Sequence, residues 1–177
     1  MSDEPDRRKF LKIATCALGG GVGVAAAAPV LRLVAAPIGE TTVTSPTDPI
    51  DVGAIAAIPV GAAWTKVDVI APVIADAWTT ARDVVLGAAW VRRPSESKLV
   101  ALSASCPHLG CAVGWDVAAA GFLCPCHNSR WNGDGELVGN DGPAKRALDP
   151  LPIEVKDGRL QLTWVRYKLD SATREPA

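Results

Sequence analysis

The chain has 177 residues, room for one domain or for one small domain with an appendage. Its 18 Lys and Arg against 19 Asp and Glu leave a net charge of -1, without the basic excess that a nucleic-acid surface needs. Sixteen Gly and 14 Pro beside two Phe and one Tyr favour short strands and turns, so the expected core is all-β, and two His allow a single His-dependent metal site, since a two-His-one-carboxylate iron would use both.

At the N-terminus, Asp6-Arg7-Arg8-Lys9-Phe10-Leu11-Lys12 sets paired arginines ahead of an apolar run, the pattern of a twin-arginine export signal. Ile13 to Leu31 follows as 19 uncharged residues, about 28 Å long as a helix and enough for a hydrocarbon core. The run is rich in Ala and Gly, with Pro29 near its end, and so is weakly hydrophobic, as export signals are. Cleavage near Ala25 to Ala28, or at Ala35 to Ala36, is one reading; the preferred one is an uncleaved signal that anchors the chain through residues 1–37. Arg7, Arg8, Lys9 and Lys12 then keep the N-terminus in the cytoplasm and place the rest on the outer, periplasmic side of a bacterial cytoplasmic membrane. Cys16 reads as a small apolar residue rather than a lipid attachment point, because Ile13-Ala14-Thr15 is a poor lipidation context.

Ile38 to Ile50 has no periodicity and is rich in Thr, Ser and Pro, the composition of a tether, so a folded domain is expected over residues 51–169. Strands are predicted at Thr65 to Ile70, Asp83 to Val91 and Leu99 to Leu102, with Arg92 to Lys98 as the turn between the last two. Ile153 to Lys156 and Arg159 to Leu162 alternate around Asp157-Gly158, a hairpin signal. The polar residues 170–177 are expected to be a mobile tail. The tryptophans other than Trp131 are expected to pack rather than to relay electrons.

Between these strands lie Cys106-Pro107-His108-Leu109-Gly110-Cys111 and Cys124-Pro125-Cys126-His127-Asn128-Ser129, which hold four of the five cysteines and both histidines. Each box can offer one thiolate and one imidazole: Cys106 and His108 are two apart and Cys124 and His127 three apart, with fifteen residues between the pairs. In an exported domain, spare cysteines oxidise, so the economical assignment is two thiolates and two imidazoles on metal plus one bridge between the loops. A Cys2His2 zinc site would use the same donors, but it calls for no companion cysteine in each loop.

The pattern Cys-x-His-x(15)-Cys-x-x-His resembles that of the Rieske iron-sulfur proteins. The resemblance implies an antiparallel β fold with two cluster-binding loops and one 2Fe-2S cluster, with Cys106 and Cys124 on one iron and His108 and His127 on the outer one. It also implies a Cys111 to Cys126 disulfide, a Ser129 hydroxyl donating to a bridging sulfide, and His108 and His127 as the residues that meet substrate. Gly142-Pro143-Ala144 resembles the proline loop that covers the cluster in cytochrome bc-type subunits, which places Pro143 at the cofactor. Three positions depart from the usual pattern: Asn128 stands where Gly is common, Pro107 where Thr is frequent and Trp131 where Tyr is often found. The indole would then act as an apolar lid and supply no hydroxyl, and Leu109 at the loop tip would give apolar docking surface.

With both histidines on the cluster, none remains for a mononuclear iron, which excludes a Rieske oxygenase. The resemblance to the bc-type subunit implies a redox subunit that takes an electron and a proton from quinol in a cytochrome b-type partner. It passes the electron to a c-type cytochrome by swinging on its tether and has no turnover alone. The alternatives are the small Rieske subunit of an arsenite-oxidase-like molybdenum enzyme and a Rieske-type ferredoxin, which would lack the export signal and the second cysteine pair.

Overall fold

A computed structural model of the chain describes residues 4–39, 42, 46, 48–61, 64–76, 78–139 and 141–177. Two units are distinguished, Met1–Thr42 with Ala75–Thr79, and Val43–Ile74 with Thr80–Ala177. In the first, helix α1 (Glu4–Ala35) runs 32 residues through Pro29. It is therefore longer than the uncharged run and takes the twin arginines into its first turns. It is the one described helix long and apolar enough to cross a membrane, and the side chains of its apolar stretch are unburied. The polar Thr15 satisfies its hydroxyl by donating to the Leu11 carbonyl at 2.8 Å. Of the expected tether, Ile38 to Ile50, residues 40, 41, 43–45 and 47 lie outside the described residues.

The second unit holds the β structure. In chain order its elements are β1 (Ile50–Ala54), a 3-10 turn (Ile55–Ala57), β2 (Thr65–Ala75), β3 (Thr80–Ser95) and β4 (Lys98–Ser103). After these come β5 (Gly114–Asp116), β6 (Gly121–Leu123), β7 (Arg130–Trp131), β8 (Leu137–Val138), β9 (Ile153–Lys156) and β10 (Arg159–Leu162). They form three sheets ordered β1-β10-β9, β2-β3-β4 and β5-β6-β7-β8. The all-β expectation holds, as does the β9–β10 hairpin, whose turn residues Asp157 and Gly158 take φ of 52° and 73°. Two positive φ values give the twist that a tight hairpin turn needs.

Two boundaries differ from the sequence reading. Ile50, expected as the last tether residue, begins β1 and pairs with Leu162, burying its side chain. The turn expected over Arg92 to Lys98 shrinks to Glu96 and Ser97, because Ser95 pairs with Lys98. Pro94 remains within β3 at the point where the ladder shifts register between Arg92 and Ser95, so its missing N–H costs no regular ladder bond.

The two-residue period of β3 and β4 divides the interior into two cores. Ala89, Val91 and Ala101 face one way, into a basal core with Ile50, Ile58, Val69, Leu151, Leu160, Leu162 and Trp164. Trp90 and Leu102 face the other, with Trp64, Phe122, Trp131 and Leu148 behind the cysteine and histidine loops. Phe122 is the hub of this second core: the rings of Trp64, Trp90 and Trp115 meet it edge-on at 5.3, 5.8 and 4.9 Å. Trp64, Trp90, Trp115 and Trp164 are thus packing residues as expected, whereas Trp78 is exposed.

Candidate metal centre

Cys106–Cys111 lies between β4 and β5, and Cys124–Ser129 joins β6 to β7; the two loops close by the same bonds at the same spacing. The Cys106 amide donates to the Cys111 carbonyl at 2.7 Å, and the Cys124 amide to the Ser129 carbonyl at 2.9 Å. Gly110 donates to the Cys106 carbonyl at 2.8 Å, and Asn128 to the Cys124 carbonyl at 3.0 Å. Gly110 and Asn128 both hold left-handed backbone, with φ of 78° and 60°. Asn128 can therefore stand where Gly is usual, since Asn is among the few side chains that tolerate that conformation.

The two loops bring the two expected imidazoles beside each other and the two expected thiols beside each other. Cys106 and Cys124 are buried, His108 is half-buried and His127 exposed. The imidazole rings meet edge to face with centroids 5.0 Å apart. Burial pushes the Cys106 thiol up to about 11; the His108 amide pulls against this, the Cys124 side chain adds to it and the Leu109 amide opposes it. A buried thiol that resists becoming a bare anion gives up its proton most readily in exchange for a metal cation. Two thiols facing inward and two imidazoles at the surface fit a 2Fe-2S cluster carrying thiolates on one iron and imidazoles on the other.

Cys111 and Cys126 are joined in a disulfide, their Cα atoms 6.6 Å apart, as the resemblance implied. Their sulfurs and that of Cys124 lie within 4.8 Å of one another. Two of the three are spent on each other, so Cys124 is the free donor and the bridge backs directly onto it. The bridge closes a loop of 15 residues, a constraint of about 3 kcal/mol in the chain-entropy account. Replacing both cysteines by Ser should lower unfolding free energy by about that much and speed the bleaching of bound cluster, followed by denaturant titration and visible absorbance. Unaltered values in both would show that the loops hold without it.

The segment after β8 covers the second loop. A Cβ on Gly142 would come within 2.4 Å of the Ser129 amide nitrogen and hydroxyl, so only Gly permits this approach. Ser129 is buried and its Oγ accepts the Ala144 amide at 3.1 Å, which leaves the hydroxyl proton to be donated elsewhere. Pro143 is exposed over this contact and Leu109 is 58% exposed at the tip of the first loop. Trp131 is buried, and its indole N–H donates to the Arg146 carbonyl at 3.0 Å. Sequence reasoning passed over Arg146 and Asp149. They form a buried, two-pronged ion pair with both bonds at 2.8 Å. The visible signal was two opposite charges three residues apart in an apolar stretch.

Residues 64–155 match the family model described as "Rieske [2Fe-2S] domain". Residues 1–31 match one described as "Ubiquitinol-cytochrome C reductase Fe-S subunit TAT signal". The chain is 34% identical over 169 residues to the menaquinol:cytochrome c reductase iron-sulfur subunit of Geobacillus thermodenitrificans, covering 92% of this chain and 95% of that one. It is 40% identical over 62 residues to the cytochrome b6-f complex iron-sulfur subunit of Chlorobaculum tepidum, covering 35% of this chain and 33% of the relative. Among solved structures, the cyanobacterial plasma membrane Rieske protein of Synechocystis PCC 6803 aligns with a TM-score of 0.42 at 22% identity, over 64% of this chain and 97% of that one.

Proposed function

This chain belongs to the Rieske iron-sulfur family, and we propose that it is the electron-carrying subunit of a quinol-oxidising complex that reduces a c-type cytochrome. The observation that carries the reading is the near full-length match to a subunit of such a complex, which spans both helix and β-domain. A soluble ferredoxin would match the β-domain alone. Menaquinol is the donor this reading favours. We assign Cys106, Cys124, His108 and His127 as the ligands, α1 as the anchor and the outer face of the membrane as the place of the β-domain.

When bound, the cluster supplies a one-electron acceptor and raises the proton affinity of its imidazoles on reduction. The chain's own residues do the rest. Each imidazole has two nitrogens, so a ligating ring keeps one to accept a hydrogen bond from a quinol hydroxyl and to hold its proton. His127, the more exposed, is the first candidate for that contact, with His108 beside it. Leu109 offers apolar surface to the cytochrome b partner, while burial of Cys106 and Cys124 keeps water from the thiolates. The tether read from the sequence ahead of β1 lets the β-domain travel between quinol and cytochrome c; alone, the chain does not turn over.

The test is purification from membranes. The tagged full chain should bring down a b-type and a c-type cytochrome, and the complex should reduce cytochrome c with a menaquinol analogue. Co-purification with a molybdenum subunit instead would support the arsenite-oxidase-like alternative and sink this reading.

The geometry of Trp131 adds a prediction about tuning. Its one donor is committed to Arg146, so it gives nothing to a cluster sulfur. Hydrogen bonds to the sulfurs raise the potential, which in Rieske centres lies at about -150 to +300 mV. Trp131→Tyr should therefore raise the midpoint in a redox titration. A midpoint that stays or falls would mean that the hydroxyl finds no sulfur within reach.

A further inference from the structure

Residues 166–177, expected to include a mobile tail, fold back on themselves and onto both of the segments that shape the site. The return is closed by Lys168 donating its amide to the Glu175 carbonyl at 2.8 Å and Ala177 to the Arg166 carbonyl at 2.9 Å. A Lys168–Glu175 ion pair at 2.7 Å braces it. At the tip the Asp170 amide is shared between the carbonyls of Pro107 and His108, at 2.9 and 3.0 Å. The peptide groups that aim the first imidazole are therefore held from outside their own loop. The other side of the tip grips the segment that covers Ser129. Lys145 Nζ reaches the Asp170 carboxylate at 3.0 Å and its carbonyl at 3.1 Å, and Arg146 Nη1 donates to the Ser171 carbonyl at 2.6 Å. Arg174 donates to the Leu148 carbonyl at 3.3 Å. The match to the Rieske domain ends at residue 155, before this segment begins.

We propose that residues 166–177 are a positioning strap, which holds the His108 loop and the Gly142–Asp149 segment as one body and thereby sets the environment of the cluster. The basal core is closed by residues outside the strap, so the strap's removal should leave the β-domain folded and change the site. It rests on the ligand assignment above. Asp170 sits at φ 52°, a conformation that Gly also adopts. Asp170→Gly thus keeps the amide donor and removes the carboxylate, whereas ending the chain after Leu169 removes both.

The experiment compares three full-length purified proteins (parent, Asp170→Gly, and Lys145→Ala/Arg174→Ala) with the chain ended after Leu169. It reads the EPR line shape, the midpoint potential and the rate of cluster loss. The truncated chain should show an altered line shape and lose its cluster several-fold faster. The double variant, which loosens the strap's grip on the Gly142–Asp149 segment without shortening the chain, should change the same two readings in the same sense. Asp170→Gly should keep the parent line shape and raise the midpoint, because a fixed negative charge near the site opposes added electrons. Parent line shape and loss rate in both the truncated chain and the double variant would overturn the strap while leaving the ligand assignment standing. A parent chain without a Rieske signal would overturn the assignment itself, and the strap with it.

Discussion

The Cys124→Ser chain is expected to fold and to carry no iron. The same result is expected for Cys106→Ser, His108→Ala and His127→Ala, each with complete loss of visible absorbance and of the Rieske EPR signal. The reason lies in the division of the interior. Ile50, Val69, Val91, Leu160, Leu162 and Trp164 close the basal core without any residue of the two loops, so the strands should form whether or not the donors are complete. Cys106 and Cys124 belong to the other core, where a hydroxyl in place of a thiol is a small change of volume beside Phe122 and Trp131. Iron analysis with far-ultraviolet circular dichroism separates the two effects. A variant that kept stoichiometric iron and the parent spectrum would remove that residue from the ligand set.

Asp149→Ala should be the most destabilising substitution outside the ligands. Arg146 and Asp149 have 4% and 7% exposed side chains and meet through two bonds. Removing the carboxylate leaves a guanidinium without its counter-charge in a place that water does not reach. Breaking such a pair costs about 3–5 kcal/mol, a large part of the roughly 5–15 kcal/mol that holds a domain folded. Arg146→Met/Asp149→Leu should recover most of the loss, because the penalty comes from the orphaned charge rather than from the absence of the pair. Urea titrations of the two variants and the parent measure this. A loss below about 1 kcal/mol for Asp149→Ala would mean that the pair behaves as a surface salt bridge.

Where the chain states its structure in local terms, the sequence was enough. Asp157-Gly158 between two alternating runs located a hairpin, and the Cys and His spacing located both loops, because each depends on residues close in sequence. The strands β5 to β8 were not legible. They are two or three residues long, too short to show a period, and are anchored by Phe122 and Trp131 in the core behind the loops. Arg92 to Lys98 looked like a long turn because Pro94 usually ends a strand; the ladder absorbs it by a shift of register. The tail was misjudged for a related reason. Its polarity suggested solvent, but Asp170 and Ser171 spend their backbone groups on residues 25 or more positions away, and no local pattern announces such partners. Trp131 was legible as an apolar packing residue, though not the carbonyl that holds its indole.

The repeated closure of the two loops can be read in reverse, as a filter on sequences. If a cradle of this kind is built by a left-handed residue four places after each leading cysteine, positions 110 and 128 form a linked pair of choices, to be filled from Gly, Asn and Asp. The tip residues that precede them in each loop, such as Leu109 and Pro125, are freer, since their backbone groups take no part in the closing bonds. A chain with the right cysteines and histidines but a β-branched residue at either position would carry the donors without the backbone that presents them. Spacing alone would admit that chain; spacing with this pair of positions would reject it.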